Sequence, residues 1–365
     1  MIDLEDGVFL ERVEDLVERK RWPQLRSELV RLEPADIALV LDDLPEDRLP
    51  LLYRLLPKEL AAEVFVEMEP ELQELLIRTF SDAELKEVLD ELYVDDTVDL
   101  IEEMPANVVK RILKHADPET RRSVNEILKY PEDSAGSIMT TEFVDLKRDM
   151  TVEDAFKRIR RTGVDKETIN ICYVTDPSRH LLGLVSIRTL LLAEEDDILE
   201  DIMETNVVSV DTLDDKEDVA QDLSRYDFLA MPVVDQEGRL VGIVTIDDAI
   251  DVMEEEATED IEKMAAITPS DKPYLRTSVL STFAARIPWL LLLMVSATFT
   301  GIIISSFEDA LSACVVLTGF IPMLMDTGGN CGSQSSVMVI RGLSLGEIRF
   351  SDWGRVLWRE TRVSG

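Results

Sequence analysis

The chain has 365 residues, with 38 Lys and Arg against 75 Asp and Glu, which gives a formal net charge of −37. This charge repels nucleic acid, and three cysteines with two distant histidines cannot build a disulfide framework or a zinc site. The first 25 residues mix charges through every turn, so they lack the basic start and apolar core of a signal peptide. We therefore expect the amino terminus in the cytoplasm.

The net negative charge lies entirely in the first part of the chain. Residues 1–271 carry 30 basic and 69 acidic side chains, whereas residues 272–365 carry 8 and 6. Like charges at this density oppose compaction unless cations collect on the surface. The first part therefore presents either a heavily solvated face or a surface that binds metal ions.

Residues 1–133 are predicted to form an all-α, acidic, superhelical domain. Short amphipathic segments such as ADIALVLDDLP and KELAAEVFVEMEP are separated by turn signals that recur about every twelve residues. Each segment is too short to be stable alone, so its apolar stripe must stack on neighbouring helices. No catalytic motif is present in this part of the sequence.

Residues 137–253 contain an internal duplication. Glu153 and Asp154 match Glu217 and Asp218, and LLGLVSI at 181–187 matches LVGIVTI at 240–246. Each copy has the pattern strand, helix, strand, turn, strand, helix. The pattern resembles a tandem pair of CBS domains, at 137–192 and 202–253, which implies an α/β module that senses ligands.

A polar helix is predicted at 249–271, after the duplication. Its sequence AIDVMEEEATEDIEKMAAIT places Ile250, Met253, Ala257, Ile261 and Met264 on one stripe. The helix is either an ordinary connector or an element that packs along one partner while it presents acidic side chains elsewhere.

Two apolar stretches follow in residues 272–365. Residues 287–304 carry no charge, and at about 1.5 Å per residue they span about 27 Å, close to the thickness of a hydrocarbon core. A second stretch near 311–340 is interrupted by Pro322, Asp326 and the run TGGNCGSQSS. Backbone breaks and polar groups are tolerated at membrane depth where they line a cavity, so we expect a pore there.

The basic residues around these two stretches predict the membrane topology. Only Glu308 and Asp309 are charged in the short loop between the stretches, whereas both outer flanks are basic. The positive-inside rule then places both flanks and the acidic domains in the cytoplasm. The flanking basic residues are Lys272, Arg276 and Arg286 before the stretches, and Arg341, Arg349, Arg355 and Arg359 after them.

The order of these segments resembles the MgtE family of magnesium transporters and channels. The specific motif is P-x-x-x-D-T-G-G-N-x-G-x-Q-S-S followed by IRGLSLGEI, with residues 328–343 as its most specific part. The resemblance covers the whole chain. It implies a homodimer in the inner (plasma) membrane with five transmembrane helices per subunit. This sequence reaches only the second of them, so we expect a fragment or a truncated product.

The second apolar stretch offers oxygen atoms that suit Mg²⁺. This hard ion prefers octahedral oxygen ligands and gives up water reluctantly, so a pore can hold it hydrated through amide and carbonyl oxygens. Thr327, Asn330 and Gln334 supply side-chain oxygens, and Gly328 and Gly329 let the backbone approach the axis. The resemblance points to Asn330 as a pore residue. A small-residue helix-packing site is the alternative.

Carboxylates cluster in the cytoplasmic part. Asp95 and Asp99, four residues apart, project from one helical face, and a shared divalent ion would turn their repulsion into attraction. Each cluster alone fits a solvated face, whereas the charge of the whole part favours weak metal sites shared between domains. By resemblance, the regulatory ligands would be Glu63, Asp95, Asp99, the Gly136 carbonyl, Asp215, Glu217, Asp227, Asp248, Asp251, Glu256, Glu259 and Asp260, with Glu308 facing an ion at the outer side.

The duplicated module also has residues that suit an adenine nucleotide such as ATP. Thr245 and Asp248 offer a hydroxyl and a carboxylate to a ribose, and Arg188 of the other copy offers a phosphate partner. The first copy has Ser186 and Thr189 at the matching positions, so one such site at most is expected. A structural strand-to-helix turn is the other interpretation.

We predict that high cytoplasmic Mg²⁺ bridges the helical domain, the CBS pair and the connecting helix, and thereby closes the pore. At low Mg²⁺, repulsion spreads the domains and the pore opens; this requires only that ions bind the compact state better. The alternative is a membrane-tethered divalent-cation sensor that regulates a partner without conducting. We do not expect an enzyme, because the sequence has no nucleophile–base pair or cofactor fingerprint.

Overall fold

The computed structural model describes residues 8–270 and 277–364. It divides into two compact units, residues 1–249 and 250–365. Two of the predicted flanking cations, Lys272 and Arg276, lie outside the described residues.

Ten short helices form the described amino-terminal part of the first unit, residues 8–127. Five of them have proline in the first turn, where the missing N–H group breaks no intrahelical hydrogen bond. The predicted helical domain is thus confirmed. The helices are α1 (Val8–Glu18), α2 (Trp22–Leu29), α3 (Pro34–Asp42), α4 (Leu49–Tyr53), α5 (Lys58–Val66), α6 (Pro70–Thr79), α7 (Asp82–Leu89), α8 (Val94–Glu103), α9 (Ala106–His115) and α10 (Pro118–Ile127).

These helices stack with a regular offset along the chain. Helix α3 packs on α5, α5 on α7 and α7 on α9, while α8 packs on α10. Each helix buries apolar side chains against its neighbours, and Ile37, Leu76, Leu85 and Ile112 are completely buried. This offset is the superhelical arrangement that the short amphipathic segments predict.

The two repeats each form a three-stranded sheet with flanking helices. In the first, β1 (Val144–Lys147) runs parallel to β2 (Ile171–Thr175), which pairs antiparallel with β3 (Leu181–Ser186). The second repeats this order with β4 (Val210–Asp211), β5 (Ala230–Val234) and β6 (Leu240–Thr245). The predicted α/β pair is confirmed. Its helices are α11 (Val152–Thr162), α12 (Ile187–Leu192), α13 (Leu199–Ile202) and α14 (Lys216–Tyr226).

A glycine in the third strand of each repeat lets the other repeat approach. A Cβ atom on Gly183 would lie 2.7 Å from the Glu204 carbonyl oxygen, and one on Gly242 would lie 2.8 Å from that of Thr140. Both contacts are too short for a side chain, so only glycine permits the crossed pairings of Leu184 with Glu204 and of Thr140 with Ile243. The duplication therefore builds one pseudo-symmetric module.

The helix after the second repeat is shorter than predicted. Helix α15 spans Ile246–Met264, whereas the sequence suggests a helix over 249–271. The chain leaves the helix at Ala266, which has a positive φ of 54°, and Pro269 follows. Three members of its predicted apolar stripe, Ile250, Met253 and Ile261, are exposed.

One helix of the second unit is long and apolar enough to cross a membrane. This helix, α16 (Val279–Ser306), is the only one of that kind among the described residues, and it encloses the predicted span 287–304. Its apolar side chains are exposed, including Leu290 and Ile302 at 54% and 62%. Such a surface is stable where lipid replaces water.

The second predicted span has a different structure from the one expected. Instead of one helix near 311–340, the chain forms α17 (Glu308–Ala313), a 3₁₀ turn (Val315–Gly319) and α18 (Phe320–Ser344), and α19 (Trp353–Ser364) follows. Helix α18 runs through the glycine-rich run without the expected break. Its proline, Pro322, stands in the first turn, and each interior glycine weakens a helix by only about 1 kcal/mol.

The stacked helices predict a large cost for a core truncation. Leu85→Ala, at a completely buried position of α7, should lower the free energy of unfolding by about 2–5 kcal/mol because it leaves a cavity. The control, Leu39→Ala, removes a side chain that is 62% exposed and should change stability little. Urea unfolding followed by circular dichroism measures both, and equal losses would contradict this packing.

Candidate functional site

Helix α8 carries three carboxylates to the junction between the helical part and the repeats. Asp95 is buried at 7% exposure, and its Oδ1 atom has no hydrogen-bond partner among the described residues. Asp96 is half-buried, and Asp99 lies at the exposed rim. The apolar residues of the same helix, including Val98 and Ile101, are buried in the core, so packing of α8 dictates where its carboxylates point.

The repeats bring further carboxylates to the same junction. Asp248 lies in the first turn of α15, where its Oδ2 atom accepts a hydrogen bond of 2.5 Å from the Thr245 hydroxyl. Glu142 accepts a hydrogen bond of 3.0 Å from the Val94 backbone N–H at the start of α8. The backbone N–H of Glu167 donates to the Glu142 carbonyl oxygen at 2.9 Å. A carboxylate at a helix amino terminus stabilises the unpaired N–H groups there, so Glu142 links the start of α8 to the first repeat.

Burial, followed by mutual repulsion, raises the pKa values of Asp95, Asp96 and Asp248. Burial first, and then the facing charges of Asp248, Asp96 and Glu167, hold the pKa of Asp95 well above its ordinary value. Burial raises the pKa of Asp96 to about 6. Burial also raises the pKa of Asp248 to about 7, although the Thr245 hydrogen bond opposes that shift.

Two more carboxyl groups belong to this cluster. Burial and the nearby charges of Asp96, Asp247 and Asp248 raise the pKa of Glu167 to about 8. Removal of water by the surrounding protein, followed by the nearby charges of Asp248 and Asp96, raises the pKa of Asp99 to about 8. Each carboxyl group with a raised pKa therefore increases the free energy of this compact arrangement when it is ionised; these groups are Asp95, Asp96, Asp99, Glu167 and Asp248. We call Asp95, Asp96, Asp99, Glu142, Glu167, Asp247 and Asp248 the junction cluster.

Nothing in the described chain balances the central charges of this cluster. No lysine or arginine of residues 8–270 and 277–364 forms an ion pair with Asp95, Asp96 or Asp248. Within the same ranges, no three Asp, Glu, His or Cys side chains converge tightly enough to form a metal coordination shell. The cluster thus suits a cation that keeps part of its water, as Mg²⁺ does.

The structure brings together three of the predicted regulatory residues, Asp95, Asp99 and Asp248. The others in the first unit have local roles. Asp215 caps α14 by accepting a hydrogen bond of 2.9 Å from the Glu217 N–H, and Asp227 ends that helix with a positive φ of 55°. Glu63 is exposed on α5.

Gly136 is a tight packing position. Its N–H donates to the Thr212 carbonyl oxygen at 3.0 Å, and a Cβ atom there would lie 2.5 Å from the Tyr130 ring. Glycine is therefore required for close contact, independently of any ligand.

The remaining predicted metal ligands lie in the second unit. Asp251, Glu256, Glu259 and Asp260 stand on α15, where Glu259 pairs with Lys263 at 2.6 Å. Asp260 accepts a hydrogen bond from the Ser344 hydroxyl. Glu308 is the exposed first residue of α17.

The predicted pore residues share one stretch of α18. Thr327, Asn330 and Gln334 are spaced three and four residues apart, so they lie on one face. The Thr327 hydroxyl donates to the Met323 carbonyl oxygen at 2.8 Å. Apart from the backbone of α18 itself and the adjoining residues, no described atom lies within 4 Å of a Cβ position at Gly328 or Gly329, so that surface is open to a close neighbour.

The proposed nucleotide residues are partly engaged with each other. Thr245 donates its hydroxyl proton to Asp248, whereas Arg188 is exposed on α12. At the matching corner of the first repeat, the hydroxyls of Ser186 and Thr189 lie 2.9 Å apart. The first repeat therefore lacks a carboxylate there.

Sequence reasoning missed Glu142 and Glu167. Both stand outside the acidic runs and lack the helical spacing that singles out Asp95 and Asp99. The one signal available was their position just before β1 and β2 of the first repeat. Thr140, which also precedes β1, pairs with Ile243 of β6.

Comparison with protein-family models shows three successive matches. Residues 32–133 match the MgtE intracellular N domain, residues 135–196 and 199–255 match CBS domains, and residues 321–365 match the divalent cation transporter model MgtE.

Comparison with curated proteins and solved structures points the same way. Magnesium transporter MgtE of Thermus thermophilus is 39% identical over 93% of this chain and 76% of that protein, and that of Bacillus subtilis is 37% identical over 93% and 75%. A crystal structure of the cytosolic domain of the Mg²⁺ channel MgtE in complex with ATP superposes with a TM-score of 0.63. It is 38% identical and covers 67% of this chain and 99% of its own.

The junction cluster predicts an unusual dependence of stability on pH. Because folding raises the pKa values of Asp96 and Asp248 to about 6 and about 7, their protonated forms favour the folded state, and this stability is lost as pH rises above about 4 toward 8. Without divalent ions, the melting temperature of the chain in detergent should be higher at pH 5.5 than at pH 8, and Mg²⁺ should reduce the difference.

Circular dichroism at constant ionic strength measures this effect. Asp95→Asn should flatten the pH dependence, whereas Asp90→Asn, at an exposed carboxylate paired with Lys86, should not. Higher stability at pH 8 than at pH 5.5 in EDTA would contradict the assigned repulsion.

Proposed function

Because the chain belongs to the MgtE family, we propose that it transports Mg²⁺ across a membrane and that its acidic part regulates this transport by binding Mg²⁺. The observation that carries the regulatory proposal is the unpaired, buried Oδ1 atom of Asp95 among the carboxylates of the junction cluster. The transport proposal rests on the family and on the curated magnesium transporters that this chain resembles over 93% of its length.

The junction cluster supplies the energy for a two-state switch. When ionised, its carboxylates repel across the boundary between α8 and the repeats, and this repulsion favours separation of the two parts. Bound Mg²⁺ supplies the positive charge that cancels this repulsion. Asp95 and Asp248 would hold the ion from the two sides, and the equilibrium shifts because only the compact state offers both.

The second unit supports the membrane location. Helix α16 has the length and composition of a membrane span, and Thr327, Asn330 and Gln334 share one face of α18. We place this unit in the inner (plasma) membrane as part of a multi-pass homodimer, with the helical and CBS domains in the cytoplasm. Thr327, Asn330 and Gln334 would hold hydrated Mg²⁺ through their oxygens.

An adenine nucleotide is a second proposed ligand of the CBS pair. A related cytosolic domain was crystallised with ATP. In this chain Thr245 and Asp248 are paired with each other, and Asp248 also belongs to the junction cluster. A ribose at this corner would therefore compete with a cation for the same carboxylate.

The remaining metal ligands are proposed on the family resemblance. Glu63, Asp215, Glu217 and Asp227 in the first unit have exposed or capping positions from which weak sites could recruit ions at millimolar Mg²⁺. Asp251, Glu256, Glu259 and Asp260 on α15 would contribute further ligands, and Glu308 would meet ions on the outer side.

Neutralising the junction cluster should abolish regulation. In proteoliposomes that contain the full chain, Asp95→Asn, Asp99→Asn and Asp248→Asn together should make Mg²⁺ flux insensitive to Mg²⁺ on the cytoplasmic face. They should also remove Mg²⁺ protection against limited proteolysis. The triple variant Asp43→Asn, Asp47→Asn and Asp90→Asn makes the same charge change at exposed positions and should behave like the unmodified chain. Unchanged regulation in the junction variant would refute the proposal.

Removing the central pore amide should reduce flux and leave regulation intact. Asn330→Ala should lower Mg²⁺ flux at least about tenfold, because a hydrated ion loses a hydrogen-bonded ligand worth about 1.4 kcal/mol or more. Ser336→Ala, on the same helix and outside the proposed set, is the control. If the unmodified chain conducts no Mg²⁺ but Mg²⁺ still protects it against limited proteolysis, the hypothesis of a non-conducting sensor replaces that of a transporter.

A further inference from the structure

The first repeat holds a cationic cavity in this strongly acidic chain. The cavity has a volume of about 370 Å³ and lies along β1 and the turn between β2 and β3. Arg158 of α11, Lys166 and Arg179 line it with their positive charges, and Phe143 and Leu240 provide an apolar wall. Leu240, which lines the cavity, is the first residue of β6. Thr245 is the last residue of that strand and Asp248 follows it, so the proposed nucleotide residues lie at the other end of β6.

The second repeat shows that the fold does not require these charges. Its equivalent cavity, of about 210 Å³, is lined by residues such as Thr205, Val207, Ser209 and Gly238, with no charged side chain. When the two repeats are aligned, Asp222 occupies the position equivalent to Arg158, and Gly238 the position equivalent to Arg179. Lys166 lies in a segment that the second repeat lacks. The same backbone thus surrounds one cationic and one neutral cavity.

Arg179 occupies a backbone position that favours glycine. Its φ is +71°, and at the matching turn of the second repeat Gly238 has a φ of +79°. A residue with a side chain is strained in this left-handed conformation, because its Cβ atom crowds the following carbonyl oxygen. Strain of this kind is retained where the side chain has a use, and here the side chain lines the cavity.

The positive charge of the cavity is only partly neutralised. Asp145 is the one carboxylate in its wall, and it is already held by Arg158, whose Nε atom donates to the Asp145 carbonyl oxygen at 2.6 Å, and by Lys147 at 3.3 Å. In the described ranges, neither Lys166 nor Arg179 has a carboxylate within ion-pair distance. Two cations without a counter-charge therefore face a concave space of ligand size.

We propose that this cavity binds a small phosphomonoester. Lys166 and Arg179 hold the phosphate, since a guanidinium forms paired hydrogen bonds with phosphate oxygens and an ammonium adds charge. Phe143 and Leu240 contact the apolar part of the ligand. Phe143 and Lys166 adjoin Glu142 and Glu167 of the junction cluster in the chain, but of the described residues neither a member of that cluster nor Thr245 lines the cavity.

The test measures binding of phenyl phosphate to the full chain in neutral detergent by equilibrium dialysis. The buffer is at pH 8, where the phosphate is a dianion, and contains EDTA so that no divalent ion contributes. Saturable binding is expected, with phenol, the uncharged analogue, remaining unbound. Arg179→Gly and Lys166→Gln should each weaken binding about tenfold or more, which is the effect of losing one charge-assisted hydrogen bond.

A charge-matched control separates this site from general electrostatics. Arg161→Gln removes a positive charge from the exposed side of α11, away from the cavity lining, and should leave binding unchanged. Arg179→Gly should remain folded, because glycine already occupies the matching turn of the second repeat. The proposal is overturned if the unmodified chain shows no saturable binding, or if Arg161→Gln weakens binding as much as the two cavity variants.

Discussion

Repulsion between buried carboxylates is the constraint on which the rest of the first unit depends. Asp95 is buried, one of its oxygens has no hydrogen-bond partner in the part of the chain that the structure describes, and it faces Asp248, Asp96 and Glu167. Hydrophobic packing of α8 holds these charges together against their repulsion. Compactness of this junction therefore depends on how many of the carboxyl groups are protonated or compensated by cations. This dependence is what a regulatory ion can use.

The connection between the helical part and the repeats makes that repulsion useful. Glu142 accepts a hydrogen bond from the first residue of α8, so the helix meets the repeats at a defined place. Asp248 lies in the first turn of α15, the helix that follows the second repeat. A change in charge at the junction thus acts directly on the first turn of α15.

The duplicated module shows how one fold acquires several chemistries. Both repeats have the same strand order, the same crossed pairings and the same strand glycine. Their side chains nevertheless differ. After the third strand the second repeat has Asp248 where the first has Thr189, and in the turn before that strand the first repeat has Arg179 where the second has Gly238. Backbone symmetry comes from packing, which both copies must satisfy. The side chains that line open space are free to differ, and there the acidic corner and the cationic cavity arise.

The sequence by itself determined the elements whose cause is local. Turn signals about every twelve residues marked the short helices, the matched segments revealed the repeats, and an uncharged stretch identified α16. Spacing also identified Asp95 and Asp99. Only the tertiary structure decided that Glu142, Glu167 and Asp248 lie close to the carboxylates of α8. These three residues are far from α8 in the chain, and no periodicity relates them to it. The tertiary structure likewise decided that α18 continues through its glycines. A few interior glycines weaken a helix without ending it, so local propensity could not settle that outcome.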